Sequence, residues 1–191
     1  MKLLLYCTKA KPYLYKTEDT TYPAYPKGYH TDKDLKVKLS NINELAYLNG
    51  KIVAECDFEV EEITYELYGD LDWQHDYLPT TNTMGICNLE NASCLDRDEI
   101  ENYLGGKNGY AIHIKNLHIF DEPRELDFYS SNFDYFKKVE KAPQNMMKVW
   151  EDQESPRVLI SIRPEWLCKI LNREKTIEVR KKVLKEMLNN E

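Results

Sequence analysis

The chain has 191 residues and a mass of 22.6 kDa, the size of one large domain or two small ones, which excludes a multi-module assembly. A hydrophobic fraction of 42% with 12% aromatics is enough for a core, while 31% charged residues and a mean hydropathy of −0.65 keep the surface wet. The net charge is −7, no run approaches the roughly 20 apolar residues of a membrane span, and the apolar stretch after Met1 ends at Cys7, so a cytoplasmic globular protein is expected.

The opening "KLLLYCTKAK" is a short apolar run bounded by Pro12 and reads as a buried strand. Residues 12–43 mix Tyr, Thr, Lys, Pro and Asp without a period and read as a long loop. After the turn at Asn49 and Gly50 the pattern alternates. Ile52, Ala54, Cys56, Phe58 and Val60 take one parity and Lys51, Glu55, Asp57, Glu59 and Glu61 the other, as in a half-buried strand. Residues 64–95 are polar with scattered aromatics, and irregular structure is expected there. Asp96 and Glu99 form a capping box ahead of Ile100, Tyr103 and Leu104, a short helix stopped by Gly105 and Gly106. "GYAIHIKNLHIF" is a further strand, ended by a turn at Asp121 to Pro123. Residues 124–157 read as a charged connection holding "KAPQ" at Lys141 to Gln144.

"RVLISIRPEW" then passes from strand to helix, with Pro164 suited to a first helical turn and Trp166, Leu167, Ile170 and Leu171 at helical spacing to about Arg173. Trp166 begins that apolar stripe and reads as core. "TIEVRKK" returns to alternation, with Ile177 and Val179 inward and Glu178, Arg180 and Lys182 on the opposite face. Val183, Leu184, Met187 and Leu188 suggest a terminal amphipathic helix.

Five cysteines with no CxxC or CxxxH spacing argue against a disulfide framework and a zinc site; Cys7, Cys56 and Cys168 read as buried hydrophobes. The histidines show no metal-binding pattern, His113 and His118 reading as solvated or core-edge residues, and neither metal nor cofactor is expected. Charge is unevenly distributed. Met1 to Asn43 carries eight Lys against four acids (net +4), Glu44 to Tyr135 five bases against twenty acids (net −15), and Phe136 to Glu191 thirteen bases against nine acids (net +4). The two basic blocks are the two ends of the chain, and brought together they would make one basic face on an acidic protein.

The stretch Val158 to Lys181, "VLISIRPEWLCKILNREKTIEVRK", resembles the start of ASCH domains, members of the PUA-like superfamily of small β-barrels. Their strand, helix and GxKxxExR signature is matched by Lys175, Glu178 and Arg180, with Thr176 also a common choice and Arg173 standing where the family has Gly. "LLYCTK", "NGKIVAECDFEVEEI", "GYAIHIKNLHIFDEPREL" and "KAPQ" resemble the segments that follow the signature in phage-associated and bacterial members. The order differs, because the segment that should come first comes last. The resemblance therefore implies an α+β fold: one circularly permuted PUA-like/ASCH small β-barrel with flanking helices over residues 1–191, with the signature segment 157–182 at its C-terminal end.

What the resemblance implies about function is a cleft for single-stranded RNA or a modified nucleotide. Lys175 and Arg180 would neutralise phosphate, and Glu178 would accept from base amino groups or simply hold Arg180. Tyr6, beside Thr8 and Lys9, suits a stacking ring equally with a core position. Ser161 and Arg163 flank the entry to the signature helix, where backbone donors and the helix dipole favour anions, and Gln144 either reads a base edge or anchors its loop. A competing expectation is an amidohydrolase acting on N4-acylated cytidine, as some small ASCH proteins are. Lys175 matches their Lys, Glu178 stands where they have a catalytic Thr, and Glu55 is an acid candidate by its location on a cleft-forming strand alone. A third is a protein-interaction module, in which the acidic middle block binds a basic partner.

Overall fold

The computed structural model describes residues 1–8, 48–68, 76–150 and 156–188. The expected loop at residues 12–43 and the candidate Lys9 lie outside them. The described residues form a mixed α and β structure: β1 (Lys2–Cys7), β2 (Ile52–Tyr68), β3 (Asp76–Thr80), α1 (Ile86–Ser93), α2 (Arg97–Leu104), β4 (Gly109–Arg124), α3 (Phe128–Asn132), β5 (Met146–Lys148), β6 (Arg157–Ile162), α4 (Pro164–Leu171), β7 (Ile177–Arg180) and α5 (Lys185–Leu188). They divide into two compact units, each drawn from two stretches of sequence: Met1–Asp57 with Asn116–Asn172, and Phe58–Lys115 with Arg173–Glu191.

In the first unit the strand order is β5-β6-β1-β2. β1 and β6 run parallel, in register from Lys2↔Arg157 to Cys7↔Ile162, and β2 lies antiparallel on the other side of β1, with an irregularity between Leu5 and Tyr6. Both central strands are buried from their second residue onward. Their continuous apolar runs, Leu3 to Leu5 and Val158 to Ile160, are what a strand covered on both faces requires. Each such Leu or Ile removed from water contributes about 1.5–3 kcal/mol, so this pair is the energetic centre of the unit. Leu4, Tyr6 and Leu159 pack on one side against Phe120, Tyr129, Phe136 and Val149. α4 opens with Pro164 in its first turn and buries Leu167, Cys168 and Ile170.

In the second unit β4 pairs antiparallel with β7, from Tyr110↔Arg180 to His113↔Ile177, and β2 with β3, from Thr64↔Thr80 to Tyr68↔Asp76. α1 and α2 complete a core of Ile63, Leu89, Ile100, Leu104, Ala111, Ile177 and Val179. The capping box of α2 is formed on both sides, Glu99 N–H donating to Asp96 Oδ1 at 2.8 Å and Asp96 N–H to Glu99 Oε2 at 2.9 Å, and Gly105 ends the helix at φ +67°.

Several expectations are corrected. The described residues of 64–95 are not all irregular: they hold the end of β2, β3 and α1. The pattern hid them because Leu67 and its partner Tyr77 are both exposed, so no alternation marks the hairpin, and α1 buries only Leu89 and Ser93 behind an N-cap, Gly85, that makes no side-chain bond. β4 does not stop at Asp121 but runs through Pro123 to Arg124. Its ladder with β7 ends at His113, well before Pro123. The connection 124–157 contains α3 and β5, and Tyr103, expected on the apolar stripe of α2, is exposed. α4 ends at Leu171, ahead of the expected Arg173.

Arg173 has a left-handed backbone at φ +62°. An L side chain there costs roughly 1–2 kcal/mol, which glycine avoids at an entropic cost of about 0.5–1 kcal/mol. Arg173→Gly is therefore expected to stabilise the fold by about 0.5–1 kcal/mol, read as a rise in the urea midpoint at unchanged slope.

Candidate functional site

The residues singled out in the sequence fall into two groups, one in each unit. In the first unit they gather where β1 and β6 end together. Tyr6 lies opposite Ser161 and Cys7 opposite Ile162, and the Thr8 N–H donates to the Ile162 carbonyl at 2.9 Å. The "KAPQ" loop docks on the same place. Ser161 Oγ donates to the Pro143 carbonyl at 2.6 Å and Ser161 N–H to the Asn145 carbonyl at 2.9 Å, so the loop is pinned on either side of Gln144. Gln144 and Arg163 are exposed. Arg163 occupies the N-cap of α4; its carbonyl accepts from Trp166 and Leu167, while its side chain makes no capping bond. Three segments distant in sequence thus bring Thr8, the Gln144 loop and Arg163 close to a buried Ser161, next to the positive end of a helix dipole.

Tyr6 belongs to the packing. It is 7% exposed and surrounded by Leu4, Ile52, Tyr129 and Leu159, which leaves no ring face for a base. Trp166 is half-buried, with Lys169 Nζ 4.8 Å from its ring centroid. Glu55 sits toward the other end of the β1/β6 pair. Its carboxylate oxygens lie 3.6 Å from Lys2 Nζ and 3.8 Å from Arg157 Nε.

In the second unit Lys175, Glu178 and Arg180 form a chain of charges. Lys175 Nζ lies 3.4 Å from Glu178 Oε2 and donates to the Ser93 carbonyl at 2.6 Å; Glu178 Oε1 accepts from Arg180 at 2.9 Å. The side chains are 2%, 10% and 12% exposed, so the strand face opposite Ile177 and Val179 is covered and the ion pairs are not on a solvated surface. The C-terminus of α1 meets the segment that leads into this strand. There the Ala92 carbonyl accepts from Thr176 N–H at 2.8 Å and Cys94 Sγ reaches the Glu174 carbonyl at 3.4 Å. Lys175 therefore supplies a cation to the carbonyl end of a helix. Burial pushes its pKa down, against the opposing pull of Glu178. Thr176 is exposed, and its carbonyl accepts from Ile114 N–H at 2.8 Å.

A second polar cluster in this unit went unread in the sequence. Glu61 Oε2 lies 2.7 Å from His113 Nε2 and accepts from Thr83 Oγ1 at 2.8 Å and Thr81 Oγ1 at 3.0 Å. Partial burial pushes the Glu61 pKa up, but the bonds from Thr83, His113 and Thr81 outweigh it and hold the carboxyl below the ordinary 4.5. Both hydroxyls donate to the carboxylate and neither to His113, so this is a satisfied acid and not an activated nucleophile. The available signal was Ile63, an apolar residue on the parity assigned to solvent, which is fully buried.

Other acids of β2 are also engaged. Asp57 accepts from Asn116 at 2.9 Å, Glu59 pairs with Lys115, and Glu62 accepts from Asn108 at 2.9 Å. Cys7 and Cys56 are buried, and burial pushes each thiol up to about 12, which makes them inert hydrophobes. Among the described residues no His, Cys, Asp or Glu group of three or more could hold a metal, and no helix is long and apolar enough to cross a membrane. The chain matches no protein-family model, no curated protein and no solved structure.

Removing a partner from a buried ion pair costs about 3–5 kcal/mol, and here Arg180 still compensates Glu178. Lys175→Ala is expected to lower stability by about 3 kcal/mol, measured by urea unfolding. Glu61→Gln is expected to cost about 1–2 kcal/mol at neutral pH, the worth of charge-assisted bonds in a partly exposed site. Because the folded-state pKa is depressed, that contribution is present above 4.5 and lost as pH falls through the folded value. Unfolding curves of wild type and variant should converge in acid.

Proposed function

We propose that the protein is a nucleic-acid-binding module, a circularly permuted domain of the PUA-like/ASCH type that takes single-stranded RNA or a modified nucleotide. The observation that carries this reading is the parallel pairing of β1 with β6, which gathers Thr8, the "KAPQ" loop and Arg163 at one edge. In the family order the strand at 157–162 comes first and the "LLYCTK" strand follows the signature, and the pairing of these two strands from opposite ends of the chain supports reading them as parts of one rearranged domain. The exposed Arg163 guanidinium beside the start of α4 suits a phosphate, bound as a planar fork and aided by the helix dipole. Gln144 offers both a donor and an acceptor to a base edge from a loop that Ser161 holds in place.

The signature residues play a different part in this proposal. Lys175 and Glu178 are consumed in mutual neutralisation and in capping α1, so their charges organise the second unit and phosphate contact falls to Arg163. Amidohydrolysis has less support. Lys175 has the lowered basicity of a general base but is 2% exposed, and Glu55 is engaged by Lys2 and Arg157.

Arg163→Ala is expected to weaken binding of a fluorescein-labelled decauridylate about tenfold, the worth of one charge-assisted contact, and to reduce the salt dependence of binding by about one phosphate. Fluorescence anisotropy between about 50 and 200 mM salt measures both. Unchanged affinity in the variant would refute the assignment.

A further inference from the structure

A second surface of the first unit carries features of a different kind. Phe133 and Tyr135 are 45% and 64% exposed, and both rings lie against Trp150. Tyr135 stacks on the indole at 6.3 Å between centroids and 28° between planes; Phe133 is 6.1 Å away at 42°. Phe136, buried behind them, meets the Trp150 ring edge-on at 4.3 Å, and the two residues are bridged through their backbones. The Lys137 N–H donates to the Val149 carbonyl at 2.9 Å, so the segment is held alongside the residues that follow β5. The Arg157 guanidinium sits 5.4 Å from the indole centroid on the same unit. Between Phe133 and Trp150 the sequence has four lysines, Lys137, Lys138, Lys141 and Lys148, against two acids, Asp134 and Glu140, in a chain whose net charge is −7. Lys137, Lys138 and Lys141 are exposed.

An exposed aromatic on its own needs no explanation. Here two of them flank a third ring that is fixed from behind, and basic residues follow directly in the chain. A partner that uses both features has flat apolar faces and regularly spaced negative charge, which describes a single nucleic-acid strand better than an apolar protein segment. We propose that Phe133, Tyr135 and Trp150 form a base-stacking platform for single-stranded nucleic acid, with Lys137 and Lys138 meeting the adjoining phosphates. The platform lies toward the start of β6, where Arg157 is, and Arg163 follows the end of that strand, so one six-residue strand, about 17 Å long, separates the two contact points. The inference rests on the nucleic-acid reading above and extends it from one nucleotide to a strand.

The test compares four proteins, wild type, Tyr135→Ala, Tyr135→Phe and Arg163→Ala, for binding to labelled decauridylate, after each shows an unchanged urea midpoint. Tyr135→Ala is expected to weaken binding about tenfold, since stacking on one ring contributes roughly 1–3 kcal/mol per base. Tyr135→Phe keeps the ring and is expected to bind as wild type does. Loss of affinity in Arg163→Ala alone overturns the platform and leaves the reading at Arg163 standing; loss in Tyr135→Ala alone does the reverse. No binding by the wild type ends both. Unchanged oligonucleotide affinity in Tyr135→Ala together with lost self-association would make the surface a protein contact and overturn the proposal.

Discussion

The first unit depends on one long-range contact, the parallel hydrogen-bonded pairing of β1 with β6. Neither strand has a polar face to offer water. Leu3, Leu4 and Leu5 on one, and Val158, Leu159 and Ile160 on the other, are all but fully buried. Such strands are unstable at an edge, and each finds a second neighbour, β2 beside β1 and β5 beside β6. Everything polar at this end of the pair follows from the register. Ser161, opposite Tyr6 across the ladder, holds the "KAPQ" loop, and Arg163 emerges where the ladder stops.

Charge is used in two distinct ways. In the second unit Lys175, Glu178 and Arg180 are withdrawn from solvent and spend their valence on one another and on the carbonyl end of α1. A buried group of this kind contributes less net stability than its geometry suggests, because desolvation offsets most of the Coulombic attraction, yet removing one member is costly. In the first unit Arg163 and the lysines after Tyr135 stay at the surface, where long-range attraction to an anion is retained and the screening by salt is greatest.

The fold was legible where one physical signal dominated. The apolar runs of β1 and β6, the alternation opening β2, the capping box of α2 and Pro164 at the start of α4 all mark the elements that form. Alternation also placed Ile177 and Val179 correctly in the core. What it cannot register is whether the other face of a strand is open or covered. Lys175 is enclosed partly by its bond to the Ser93 carbonyl at the end of α1, a helix with two buried residues and no side-chain cap, so Lys175 and Glu178 read as displayed when they are enclosed. The same limit hid the Glu61 cluster, whose members His113, Thr81 and Thr83 come from separate segments. Ser161, the Gln144 loop, Arg163 and Thr8 are gathered by a contact that no local pattern encodes, whereas Lys175, Glu178 and Arg180, expected at the same site, belong to the second unit.

The β1/β6 ladder joins positions about 155 residues apart, Leu3 with Val158 for example. At ordinary translation speeds, β1 leaves the ribosome on the order of ten seconds before β6 exists. β2 arrives much sooner and covers one side of β1. The opposite side stays a bare apolar edge throughout synthesis, an open template for any other extended chain nearby. A nascent copy of this protein is thus most vulnerable to misassociation at the very strand that, once complete, lies deepest in the first unit.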